Sequence, residues 1–172
     1  MARPSNRDLI VDALQEVVLE RGADSVTLDA VAAAAGVSKG GLLYHFGSKA
    51  ELFCGLLDRC EESVERANAA APSDPAALVR WHITSALEAS DAENRMWRAL
   101  VGSVHAVDEA FDRRLIELSV RSRAPLEVLD PVLASHVRLV ADGLYLGDLV
   151  NEPRPDRAHV EAIIESLAAG LA

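Results

Sequence analysis

Aromatic residues are scarce: two Trp, two Tyr and three Phe, together 4% of 172 residues. Half the chain is nonetheless apolar, so its core must be aliphatic, built from Leu, Val, Ile and Ala. Only two cysteines occur, Cys54 and Cys60, too few for a disulfide scaffold. A spacing of six places them on different faces of a helix, so they are not expected to pair, and free thiols of a reducing cytoplasm follow. No apolar run approaches the ~20 residues of a membrane span, and charged Asp8 and Asp12 near the start do not read as a signal peptide. A soluble, cytoplasmic chain with no membrane partner is expected. Basic charge is also short, with 17 Lys and Arg against 27 Asp and Glu, net −10. Taken alone, that balance argues against a nucleic-acid partner. Net charge does not locate the charges, however. The longest stretch free of acid runs from Ala30 to Ala50, and both lysines of the chain, Lys39 and Lys49, lie in it.

Period-two alternation is missing as well, and the chain reads as helical throughout. Leu9, Ile10, Ala13, Leu14, Val17 and Val18 fall at helical spacing from about Arg7 to Gly22. Thr27 caps a short helix from Leu28 to Ala35, with Asp29 in its first turn. Gly36 ends it. Ser38 caps the next helix, Lys39 to about Phe46, and Ser48 through Glu51 form a capping box for a long helix reaching about Ala70. Ala71-Pro72-Ser73-Asp74-Pro75 is the clearest break. Five helices are expected beyond it, at about 76–90, 92–107, 109–123, 131–151 and 157–169. The class is all-α, with about nine helices.

Residues 27–46 have the layout of a helix-turn-helix, whose second helix enters the DNA major groove. Leu28, Val31 and Ala32 pack the first helix, Gly36 supplies the positive φ of the turn, and Val37 fills the space between the helices. Ser38 and Lys39 begin the second helix, where amides and ammonium favour phosphate or base edges. Gly40 and Gly41 weaken a helix, so either a partner approaches this surface closely or the segment is a frayed connector. Tyr44, His45 and Lys49 offer further groups to the DNA backbone.

The run Gly36-Val37-Ser38-Lys39-Gly40-Gly41-Leu42-Leu43-Tyr44-His45-Phe46-Gly47-Ser48-Lys49-Ala50-Glu51-Leu52-Phe53, with Val26 to Ala32 before it, resembles the signature of the TetR family of bacterial transcription regulators. The likeness is dense over about the first 55 residues. It implies a three-helix DNA-binding domain over residues 1–47 and a helical effector-binding and dimerisation domain over 48–172. Thr27 would cap its helix and touch a phosphate. Lys39, Gly40, Gly41 and Leu42 would face the groove floor, and Ser38, Tyr44, His45 and Lys49 would hold the backbone. Arg3 and Arg7 would add contacts from an arm. Gly41 departs from the pattern: many members carry a small β-branched or hydroxyl residue there, able to touch a thymine methyl.

The resemblance also implies dimerisation through the last two helices. The helix at 131–151 carries Leu133, Val137, Val140 and Leu144 on one face and Val132, Leu139, Leu146 and Val150 on another, so it needs two partners. Val137, Val140, Ala141, Leu144, Val160, Ile163, Ile164 and Leu167 are the expected interface. Trp81, Met96, Trp97, Phe111 and Tyr145 are candidates to line an effector pocket. His82, His105 and His136 have no metal-ligand spacing, and no nucleophile signature occurs, so neither a metal, a cofactor nor catalysis is expected. The function implied is a homodimeric repressor released from a palindromic operator by a small-molecule effector. The alternatives are a helical ligand- or partner-binding protein that has lost DNA binding, or an activator without a small ligand.

Overall fold

The computed structural model describes residues 5–88, 91–150 and 152–171, and these hold nine α-helices with no strand. The helices are α1 (Asn6–Arg21), α2 (Leu28–Ala35), α3 (Lys39–His45), α4 (Lys49–Ala69), α5 (Pro75–Leu87), α6 (Asp91–Val101), α7 (Glu109–Arg121), α8 (Pro131–Leu149) and α9 (Arg157–Ala168). Two short 3-10 turns, Ala23–Ser25 and Ala124–Val128, complete the path. No helix of the described residues is long and apolar enough to cross a membrane.

Most helix ends follow from local chemistry. Ser5 and Asp8 form a reciprocal capping box on α1. The Thr27, Ser38, Asp74, Asp130 and Asp156 side chains each accept a backbone N–H at the start of α2, α3, α5, α8 and α9. Ser48 accepts the N–H of Glu51 at 3.1 Å, while the Glu51 carboxylate reaches back to the N–H of Gly47, one residue earlier than a standard box. The helix expected at 92–107 is shorter: α6 stops at Val101. His105 lies beyond it in the left-handed region, φ 64°. Asp112 accepts its backbone N–H at 3.1 Å and meets its ring Nδ1 at 2.9 Å, so a local side chain secures a turn where helix was expected.

The chain forms two compact units: the residues up to Ser63 together with Arg95–Leu118, and Val64–Asn94 together with Ser119 onward. The first is built on Ile10, Leu14, Val31, Leu42, Leu52, Phe53, Leu56, Leu100 and Phe111, all essentially inaccessible. Phe53 and Phe111 meet edge to face, 6.1 Å between centroids. Ion pairs rim this core. Asp58 binds Arg7 at 3.0 Å and Arg114 at 2.6 Å, and Glu61 binds Arg114 at 2.8 Å. Glu61 first, and Asp58 next, hold the Arg114 guanidinium above its ordinary range. The second unit packs Leu78, Val79 and Ile83 of α5 against Val137 of α8 and Val160 and Ile164 of α9. Cys54 and Cys60 are both free thiols, and burial pushes that of Cys60 up to about 12.

Candidate nucleic-acid interface

The geometry of α2 and α3 is set by small devices at their ends. Gly36 takes φ 67°, the left-handed conformation that lets the chain turn sharply between them. Ser38 then caps α3 through the N–H of Gly41 at 3.0 Å. A Cβ on Gly41 would stand 3.2 Å from that Ser38 hydroxyl, so glycine at 41 eases a close approach inside the protein. Gly40 differs: a Cβ there would meet nothing within 4 Å. Its missing side chain has no explanation in the chain itself.

Leu42 is 0% exposed and belongs to the core of the first unit. The expectation that its side chain faces a groove is corrected, because the helical period turns residue 42 inward. The outer face of α3 consists of Lys39, Gly40, Leu43 and Tyr44, with Leu43 41% and Tyr44 85% exposed. Leu43 was missed by sequence reasoning, although the spacing 39, 40, 43, 44 was a sufficient signal. His45 is half-buried and its ring stands edge-on to Tyr44, 5.1 Å away. Thr27 and Ser38 are exposed beside this face.

The two lysines are placed differently. Lys39 projects into solvent and pairs with Asp29 at 2.9 Å. Lys49 is half-buried. Its ammonium donates to the carbonyl of Ala23 at 2.9 Å and lies 5.7 Å from the Phe53 ring centre. It therefore ties the start of α4 to the turn between α1 and α2. Arg7 stacks over the Phe46 ring, 5.2 Å to its centre, while pairing with Asp58. Phe46 sits so close to Gly55 that a Cβ there would come within 2.5 Å of the ring, a fit that no sequence signal announced. Arg3 lies outside the described residues.

The expected interface and pocket residues divide. Val137, Ala141, Val160 and Ile164 are buried within the second unit's own core, with Val140, Leu144 and Leu167 partly buried against it. For Val137, Ala141, Val160 and Ile164 the expected place on a dimer interface is corrected, since a side chain closed off inside one copy has no surface left for another; Val140, Leu144 and Leu167 keep part of theirs. Ile163 is exposed. The second apolar face of α8 is the open one: Val132, Leu139, Leu146 and Val150 are 58–65% exposed. Among the pocket candidates, Trp81 and Tyr145 lie in the second unit, and Met96, Trp97 and Phe111 in the first. Phe111 is closed off against Phe53, which leaves it no ring face for a ligand. His82 and His136 lie in the second unit and His105 in the first. Burial lowers the His82 imidazole below its ordinary range. No group of three His, Cys, Asp or Glu fit to hold a metal occurs among the described residues.

Comparisons with known proteins bear on both units. Residues 10–54 match the family described as bacterial regulatory proteins, tetR family. Residues 76–172 match the family described as tetracyclin repressor-like, C-terminal domain. The nucleoid occlusion factor SlmA of Aliivibrio fischeri (strain MJ11) is 41% identical over 63 residues, covering 36% of this chain and 32% of that protein. The HTH-type transcriptional repressor BepR of Brucella suis biovar 1 is 31% identical over 93 residues, 52% of this chain and 44% of BepR. These matches thus span a third to less than half of the relatives' length. Among solved structures, the multidrug binding protein EbrR complexed with malachite green superimposes with a TM-score of 0.74 at 25% identity, covering 95% of this chain and 98% of that one.

Proposed function

The chain belongs to the tetR family of bacterial regulatory proteins, and from that membership we propose that it is a homodimeric DNA-binding regulator, a repressor released from a near-palindromic operator by a small-molecule effector. The observation that carries this reading is the outer face of α3. It is rigidly presented by the Ser38 cap and the buried Leu42, and it carries Lys39 and Tyr44 into solvent. Two copies would set their α3 helices in successive major grooves about 34–36 Å apart. Thr27, Ser38, Tyr44 and His45 would hold phosphates on either side. The functional division at residue 47 is part of this proposal: DNA binding before it, effector binding and dimerisation after it.

The second copy would cover the open face of α8. Val132, Leu139 and Leu146 repeat every seven residues, two helical turns, and Val150 continues the stripe. Gly143 is exposed on this helix, and a Cβ there would meet nothing within 4 Å, which leaves room for two helices to approach closely. For the effector, support comes from EbrR, a multidrug binding protein solved with malachite green. Trp81 and Tyr145, both of the second unit, are the proposed contacts. Binding would favour a state whose two α3 helices no longer match the groove spacing, and it would do so only by its greater affinity for that state.

One observation favours the second reading, a ligand-binding relative without DNA binding: both lysines already have partners within the chain. A mobility-shift assay on the DNA upstream of the protein's own gene separates the two. The regulator reading predicts a shift at low salt that weakens in Lys39→Ala and Tyr44→Ala. Absence of any shift for the wild type overturns it.

A further inference from the structure

We propose that Leu43, seated beside the bare backbone of Gly40, reads the C5-methyl group of a thymine in each operator half-site. The inference rests on the reading of α3 as the DNA-contacting helix and assigns the residue that gives it sequence preference. At about 100° per residue, Lys39, Leu43, Gly40 and Tyr44 follow one another across roughly 140° of the helix surface. Leu43 and Gly40 occupy the middle, with the ammonium on one flank and the phenol on the other. A helical side chain leans toward the N-terminus, over the preceding turn. Leu43 therefore leans toward the position of Gly40, where a Cβ would find open space. Together they make a shallow apolar notch at the centre of an otherwise polar face.

An exposed leucine alone says little. Its coincidence with a glycine that weakens the helix and that nothing in the chain requires says more. Gly36 supplies the turn and Gly41 makes room for the Ser38 cap, so Gly40 alone is left for an external approach. In the major groove, every base pair presents hydrogen-bonding edges, but only thymine among the unmodified bases adds a methyl. A leucine has nothing to offer the edges and fits the methyl. Position 41, where the family resemblance suggests such a contact, is a glycine here and has no side chain to make it.

The test uses the full chain and an operator selected from randomised duplexes. Each thymine of the half-site is replaced in turn by deoxyuridine, which removes only the methyl, and affinity is read by fluorescence anisotropy. One thymine position is expected to weaken wild-type binding roughly tenfold when replaced in both half-sites, a methyl's worth of contact in each. Leu43→Ala is expected to bind the thymine and uracil duplexes equally. Gly40→Ala, which keeps the fold because its Cβ meets open space, is expected to weaken binding to the thymine duplex. Wild-type indifference to every replacement overturns the proposal. So does undiminished methyl sensitivity in Leu43→Ala, or a Gly40→Ala chain that binds like the wild type. Failure of selection to enrich any sequence overturns the DNA-binding premise itself, a different result from specific but methyl-blind binding.

Discussion

Helices α3 and α8 share one problem and solve it with opposite chemistry. Each closes one face inside its own unit, Leu42 in α3 and Val137 with Ala141 in α8. Each leaves the other face open. On α3 that outer face is Lys39, Gly40, Leu43 and Tyr44: short, polar at its flanks, and free of acid apart from the Asp29 that pairs with Lys39. On α8 it is Val132, Leu139, Leu146 and Val150, an apolar stripe over more than four turns. The first suits a hydrated, negatively charged partner that approaches closely. The second suits dry packing against another apolar helix. Two open faces on one chain thus call for two kinds of partner, and the net charge of −10 describes the chain without describing either face.

Substitutions on three of the four faces, and at the acid paired with one of them, sharpen or break this contrast. The largest effect belongs to the inner face of α3. Leu42→Ala should lower the stability of the first unit by about 2–5 kcal/mol, read from the denaturation midpoint, because it empties a fully buried site. A surface-like effect of a few tenths would mean that residue 42 faces outward after all. Next comes the outer face of α8. Leu139→Asp should leave the helix content and the unfolding midpoint of the separated chain unchanged, since the side chain is already exposed. It should weaken self-association roughly 100-fold, about 3 kcal/mol, measured by sedimentation equilibrium, because a charge would enter an apolar seam twice.

Smaller effects are expected on the outer face of α3. Lys39→Ala should weaken operator binding by about 1–3 kcal/mol, while losing the exposed pair with Asp29 costs stability no more than about 1 kcal/mol. The smallest concerns its partner. Asp29→Asn frees Lys39 from an exposed pair worth roughly 0.2–1 kcal/mol. Binding should then tighten up to about fivefold, with a slightly steeper dependence on salt. With Lys49 turned to the Ala23 carbonyl, the wild-type salt dependence should be shallow for a DNA-binding protein.

The two regions also differ in how far the sequence revealed them. Around α2 and α3, structure is fixed by local rules: Thr27 and Ser38 cap, Gly36 turns, and each needs only its near neighbours. Those elements could be placed to within a residue. The phase of α3 was the part misjudged, because grouping Leu42 with the groove residues followed adjacency in the chain where the helical period decides. In α8 the period gave two apolar faces correctly but carried no information on which one the chain itself would cover. That depends on α5 and α9, which bring Ile83, Val160 and Ile164 against Val137. The end of α6 was hidden for the same reason, since Asp112 captures His105 from the next helix. Gly55 was invisible because its need arises from a ring nine positions away in the chain.

The most direct test of the account is the mass of the complex formed when the wild-type chain sediments with its operator duplex. The account predicts two chains per duplex at saturation, with Leu139→Asp failing to form that species and Lys39→Ala forming it only at higher concentration. A single chain bound at full affinity, or no complex at low salt, would contradict it.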